Sequence, residues 1–214
     1  MSSARDAILA SVRAGLRGAS VSELPPVRTG AGVPENDRVA RFQTMLERVG
    51  ARLVCVADPA AASAELVRIC AAAGVRALVA SDAPLVAPML AGLPPAIGRF
   101  APDAPRAELF ACELGLSSAQ WGIAETGTLV LESAEERHRL ASLLPPHHVA
   151  LLPRSRLLGT LGEAFARVRP GPGAPPSRTI TFVTGPSRTA DIELELVVGV
   201  HGPKHLTVLL LDSA

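Results

Sequence analysis

Four short stretches of the 214-residue chain bring acids, histidines, hydroxyls and arginine together with turn-forming glycine and proline. The first is Ala124-Glu125-Thr126-Gly127-Thr128, directly ahead of the apolar Leu129-Val130-Leu131. Partial burial would raise the pKa of Glu125 and fit it to act as base or nucleophile. Gly127 lets the backbone approach a ligand flanked by the hydroxyls of Thr126 and Thr128. The plain alternative is a turn entering a strand. The second stretch is Gly185-Pro186-Ser187-Arg188-Thr189-Ala190-Asp191-Ile192-Glu193. A strand, a Gly-Pro turn and then hydroxyl and acidic residues read as a strand feeding a helix N-terminus, whose free N–H groups hold a carboxylate or phosphate. Arg188 would add a charge-assisted pair, with Ser187, Thr189 and Asp191 around the same ligand. Capping is the competing account, because Asp191 and Glu193 suit a first helical turn.

The third stretch, Gly199-Val200-His201-Gly202-Pro203, offers His201 as general acid/base or carboxylate donor, with Gly202 as a close backbone approach. His201 and His205 stand four apart, but Gly202-Pro203 breaks the helix that a metal pair would need. The fourth runs from Arg139 to His148 through Pro145-Pro146. Adjacent strand residues face opposite ways, so only one of His147 and His148 reaches a given pocket, and His148 and Arg139 are the ligand candidates here.

Composition narrows the chemistry. With 21 basic and 20 acidic residues the formal charge is +1, and aromatics make up 3% with no tyrosine. No field or stacking platform for nucleic acid follows from that. Lys204 is the single lysine, and no Gly-Lys-Ser/Thr occurs, which removes a Walker-type loop. Cys55, Cys70 and Cys112 lie far apart, so neither an iron–sulfur cluster nor a zinc ribbon finds its ligands, and the expectation is no metal and no cofactor on this chain. Reduced thiols, no membrane-length apolar run and no signal-peptide core point to the cytoplasm.

The elements that must position these residues alternate. Ser2 or Ser3 caps a helix carrying Ile8, Leu9, Val12 and Leu16, and a Pro- and Gly-rich linker follows, so residues 1–35 read as an arm and linker and 36–214 as the main domain. Helical patterns over 38–49 and 59–73, the latter closed by Gly74, alternate with strands at 53–56 and 78–80; a short helix over 84–90 and a proline-rich connection over 92–105 follow. Further strands are expected at 128–131, 149–152, 180–183 and 206–211, with one helix over 154–168. This is an α/β pattern: three layers, a mostly parallel sheet with helices on both faces. Ligands of such sheets sit at the carboxyl ends of strands, so Glu125, Ser187, Arg188, Asp191 and His201 are expected in one pocket there.

In order and spacing, Ile123-Ala124-Glu125-Thr126-Gly127-Thr128, Ser142-Leu143-Leu144-Pro145-Pro146-His147-His148, the Gly185 to Glu193 stretch and Gly199-Val200-His201-Gly202-Pro203 resemble the LUD-domain family, in its lactate-utilization C branch. The resemblance covers about residues 36–214. It implies a fold similar to the superfamily of glucosamine-phosphate deaminase, ribose-phosphate isomerase and coenzyme A transferase. It also implies a part in oxidising L-lactate to pyruvate beside A- and B-type partner proteins that carry the iron–sulfur clusters. On that expectation the chain binds a small carboxylate or phosphate ligand without a redox centre, with Glu125 and His201 as its catalytic candidates. A homo-oligomer is compatible with it. Two other classes stand beside this one: a stand-alone transferase- or isomerase-like enzyme using Glu125, and a regulatory or scaffolding subunit docking through its N-terminal helix.

Overall fold

The computed structural model describes residues 3–18, 32–136, 139–168, 177–189 and 197–213. Asp191 and most of the 19–35 linker therefore lie outside the described residues. In chain order the elements are α1 (Ala4–Leu16), α2 (Arg38–Arg48), β1 (Arg52–Val56), α3 (Pro59–Ala73), β2 (Ala77–Ala80), α4 (Ala87–Ala91), β3 (Gly98–Phe100), α5 (Arg106–Phe110) and β4 (Leu114–Ser118). They continue with β5 (Trp121–Ile123), β6 (Thr128–Glu132), α6 (Leu140–Leu143), β7 (His147–Pro153), β8 (Leu157–Leu158), α7 (Leu161–Val168), β9 (Ile180–Val183), β10 (Arg188–Thr189), β11 (Val197–Val198) and β12 (His205–Leu211).

Six strands form an all-parallel sheet in the order β1-β12-β7-β4-β2-β3. The apolar runs Val149-Ala150-Leu151-Leu152 and Val208-Leu209-Leu210-Leu211 are fully covered on both sides, as a central parallel strand requires. One face packs Leu116, Leu151 and Leu209 against Leu66 and Ile69 of α3 and Met89 of α4. The other packs Ala150, Leu152, Val208 and Leu210 against Phe42 and Leu46 of α2 and against Leu129 and Leu131. α3 forms as its sequence directs: the Asp58 side chain accepts the Ala61 N–H at 2.8 Å, Pro59 opens the first turn, and Gly74 closes it at φ 63°.

The second face carries α2 and, beside it, a further sheet that was not expected. Two of the expected strands, β6 and β9, belong to a separate sheet of order β8-β5-β6-β9. β5 and β6 pair antiparallel across the four residues 124–127, a span too short for the crossover that parallel pairing needs. Gly127 turns this corner at φ 68°, and a Cβ there would lie 2.8 Å from the backbone of α2. The single helix expected over 154–168 is also corrected. Leu157 and Leu158 pair with Gly122 and Ile123 as β8, and only Leu161–Val168 is helical. β3, β4, β5, α5, α6 and the short hairpin β10–β11 are further elements that apolar periodicity did not mark.

α1 begins with a capping box between Ser3 and Asp6, and none of its residues is buried. Its apolar Ile8, Leu9, Val12 and Leu16 are exposed.

Candidate functional site

Hydrogen bonds string the four polar stretches together. Thr126 and Thr128 share a hydroxyl bond at 2.8 Å, and Thr128 shares another, also 2.8 Å, with Thr184 beside Gly185. The Ser187 N–H donates to the Pro203 carbonyl at 2.9 Å, and the Gly199 N–H donates to the Ser187 carbonyl at 2.8 Å. The Lys204 and His205 N–H groups donate to the Pro146 carbonyl at 2.8 and 3.1 Å. Stretches separated by tens of residues thus become one wall around the starts of β7 and β12.

That wall encloses a cavity of about 200 Å³, with His148, Ser187, His201 and Gly202 among its lining residues. Ser142 of α6 and Thr184 after β9 also face it. α6 can lie close over β4 because Gly115 has no side chain; a Cβ there would collide with the carbonyl oxygen of Ala141. Ser142 was not singled out from the sequence, although it stands within the Ser142-to-His148 motif and its fully apolar helix neighbours hint at burial.

His148 gives the cavity its sharpest feature. It is wholly buried, its Nε2 shares a 2.8 Å hydrogen bond with Ser117 Oγ, and its Nδ1 has no hydrogen-bond partner. Burial, and secondarily His147, pushes its pKa down to about 3, so the ring is neutral near pH 7. A buried ring nitrogen without a partner forgoes a hydrogen bond. Ser117 can donate to Nε2 or accept from it, so Nδ1 is able to present either an N–H or a lone pair.

The cavity lies at the amino ends of the parallel strands: His148 and Leu206, the second residues of β7 and β12, line it. Ser187 and His201, expected at the carboxyl ends of the strands, thus lie at the amino ends. Nor are all the expected residues brought together. Glu125 is half-buried in the β5–β6 turn, where its Oε1 accepts the Leu161 N–H at 2.7 Å and caps α7. Arg188 is exposed in β10, and its guanidinium donates to the Val49 carbonyl at the end of α2. Neither lines the cavity with His201. Arg188 and Thr189 form the hairpin strand β10, with Thr189 half-buried, while Asp191 and Glu193, expected in a first helical turn, lie outside the described residues. Arg139 is exposed ahead of α6, with its carbonyl accepting from the Ser142 N–H and hydroxyl. Thr126 and Thr128 line a neighbouring, more apolar cavity of about 350 Å³ with Phe165 and Phe182.

Cys55 is exposed, while Cys70 and Cys112 are buried and unpaired. Among the described residues no three histidines, cysteines or acids converge in a way that could hold a metal ion, and no helix is long and apolar enough to cross a membrane.

Comparison with known proteins places this geometry in a family. The chain is 39% identical over 103 residues to lactate utilization protein C of Shouchella clausii, a stretch covering 47% of this chain and 44% of that protein. It is 37% identical over 102 residues to lactate utilization protein C of Bacillus subtilis, covering 47% and 42%. The matched stretch is therefore under half the length of these curated relatives. A crystal structure of a DUF162 family protein from Deinococcus radiodurans superposes with a TM-score of 0.61 at 22% identity, over 84% of this chain and 99% of that one. At that identity the likeness speaks for the fold, an α/β arrangement around a mostly parallel sheet. The LUD domain itself matches residues 39–211, nearly the whole body of the protein, and the chain belongs to the LUD-domain family.

Proposed function

We propose that the protein takes part in lactate utilization and holds a small 2-hydroxy or 2-oxo acid in the cavity at the amino ends of β7 and β12. The observation that carries this reading is the buried, unpartnered Nδ1 of His148 in a cavity that also presents Ser142, Ser187 and His201. The names of the curated relatives support the pathway. A volume of about 200 Å³ is below the ~300–1,000 Å³ of drug-sized sites, which favours an occupant of few heavy atoms.

In this reading neutral His148 and the serine hydroxyls orient the ligand, and exposed His201 takes the hydroxyl proton. Converting a 2-hydroxy acid to a 2-oxo acid releases two electrons and two protons. The electrons and the second proton pass to an acceptor on an A- or B-type iron–sulfur partner, since this chain offers no nucleotide fingerprint or cysteine cluster for them. The exposed apolar stripe of α1 is a suitable docking element for such a partner. Three unpaired thiols fit a cytoplasmic setting.

Calorimetric titration of the purified chain with L-lactate and with pyruvate tests the binding step. Saturable binding that weakens about 10-fold in His201→Ala or Ser187→Ala supports the cavity. Turnover of lactate with an artificial electron acceptor should require the partner proteins, and turnover by the isolated chain would refute that dependence. Thioester exchange by the isolated chain that vanishes in Glu125→Gln would instead favour a transferase.

A further inference from the structure

The proposed function leaves the opposite edge of the sheet unused. β2 and β4 are neighbours, yet the chain leaves β2 toward the face of α3 and α4, and leaves β4 toward the face of the smaller sheet. In open parallel sheets such a divergence opens a crevice outside the carboxyl ends of the strands, where ligands bind. Here it holds a cavity of about 500 Å³, within the ~300–1,000 Å³ of small-molecule sites. Pro84 and Leu85 after β2, Ala119 after β4 and Pro153 of β7 give it apolar walls, and Ser118, Glu135, Ser155 and Arg156 give it polar ones.

Behind Ser118 lies Glu136, only 3% exposed. Its Oε1 accepts the Ser118 N–H at 2.6 Å, the Ser118 hydroxyl at 2.7 Å and the Ser81 hydroxyl at 3.0 Å, so this carboxyl group ties the ends of β2 and β4 together. Burial pushes its pKa up. Ser118 Oγ gives its proton to Glu136 and receives the Gln120 amide N–H at 3.1 Å. A hydroxyl oxygen has two lone pairs, so one is left to accept from a donor in the cavity. Arg156 pairs with Glu135 at 3.6 Å, with both side chains well exposed, and an ion pair of that kind exchanges readily for a better one. Its guanidinium lies 5.6 Å from the ring centre of Trp121, the one tryptophan in the sequence.

We propose that this crevice is a second ligand site, for a hydroxylated organic anion larger than lactate. Arg156 takes the carboxylate or phosphate oxygens in exchange for Glu135, and the ligand's hydroxyl donates to Ser118 Oγ. The apolar walls receive its carbon chain.

Trp121 supplies the reporter, because an anion that draws Arg156 away changes the surroundings of its ring. The 214-residue chain is titrated with gluconate, the carboxylate arm, and with glycerol 3-phosphate, the phosphate arm, following tryptophan fluorescence and repeating each by calorimetry. A saturable change with either probe is expected, and the arm that saturates identifies the anion. Arg156→Gln, a change at a partly exposed residue, should weaken calorimetric binding about 10- to 100-fold, and Ser118→Ala about 10-fold. His201→Ala should leave it unchanged. Absence of saturation by both probes up to about 10 mM, equal affinity in Arg156→Gln, or loss of binding in His201→Ala would each overturn the site.

Discussion

The two edges of the sheet are built in opposite ways. At the amino edge, loops converge: three glycine- and proline-rich stretches are bonded main chain to main chain through Pro146, Ser187, Gly199 and Pro203, and they close over His148. At the carboxyl edge no loop motif is needed, because the chain's departure from β2 and β4 toward opposite faces opens the crevice and Glu136 braces it. Each edge buries one titratable group, and the two are shifted in ways that favour the neutral form: a histidine pushed down and a carboxylic acid pushed up. The difference is that a cavity walled by loops draws on residues that stand together in motifs, whereas the walls of a cavity made by diverging strands are known only once strand order is.

The strongest test of that contrast is pH. His148 is held down to about 3 by burial and His147 to about 4, also chiefly by burial, while unfolded histidines titrate near 6.5. Below pH 6.5 the unfolded chain binds more protons than the folded one, so this contribution is complete above 6.5 and is lost as pH falls through 4 and 3. At about 1.4 kcal/mol per pH unit, His148 alone withdraws roughly 4–5 kcal/mol by pH 3. Glu136 carries the opposite sign. Its folded pKa is raised above the ordinary 4.5, so its contribution is complete below 4.5 and is lost as pH rises through the folded value. Urea midpoints measured from pH 7.5 to 4 should therefore fall toward acid in the wild type, less steeply in His148→Asn and more steeply in Glu136→Gln. An unchanged slope in His148→Asn would break the assignment.

A packing change should separate the edges next. Gly115→Ala drives a methyl group into the Ala141 carbonyl and forces α6 off β4. Overpacking of this kind costs about 1–3 kcal/mol. Because α6 carries Ser142, the change should abolish lactate binding at the amino edge while the probe-induced change at Trp121 persists. Loss of both together would mean that the edges are not independent.

How much of this the sequence discloses depends on whether a feature is local. α3 is fully legible, since Asp58, Pro59 and Gly74 mark both its ends. The strands at 128–131 and 180–183 are legible as strands, but their sheet is not, because apolar alternation does not record a pairing partner. β5, the antiparallel partner across 124–127, was itself not marked. The helix expected over 154–168 fails because Leu157 and Leu158 are apolar at a spacing that a short edge strand shares with a helix. Of the candidates singled out beside Gly and Pro, His148, Ser187, His201 and Gly202 share one cavity. Ser117 and Ser118 were not, as they end an otherwise ordinary apolar strand whose meaning comes from its neighbours. Arg188 looked like an anion receptor by charge alone, and the Val49 carbonyl that it meets is 139 residues away.

If the two sites are separate, their variants should add. Combining Ser187→Ala with Arg156→Gln should weaken lactate binding only as much as the first alone and gluconate or glycerol 3-phosphate binding only as much as the second. Thermal stabilities should also sum to within about 0.5 kcal/mol, as they do for sites without shared partners. A coupling well beyond that, measured in a double-mutant cycle, would join the edges through β7, which lines both cavities with His148 and Pro153.

The smallest expected effect concerns Arg188. Its hydrogen bond to Val49 ties the β10–β11 hairpin to the end of α2, where Gly50 leaves room for the guanidinium, with 3.0 Å between Arg188 and a Cβ built on Gly50. The side chain is exposed, so Arg188→Ala should lower stability by only about 1 kcal/mol, the usual net worth of one such bond. Lactate affinity should change less than about 2-fold, well short of the 10-fold step that 1.4 kcal/mol represents. Arg188→Lys should recover part of the stability, because an ammonium can donate to the same carbonyl. A 10-fold or greater loss of lactate affinity in Arg188→Ala, with stability preserved, would instead give the guanidinium a ligand and extend the amino-edge site to the hairpin.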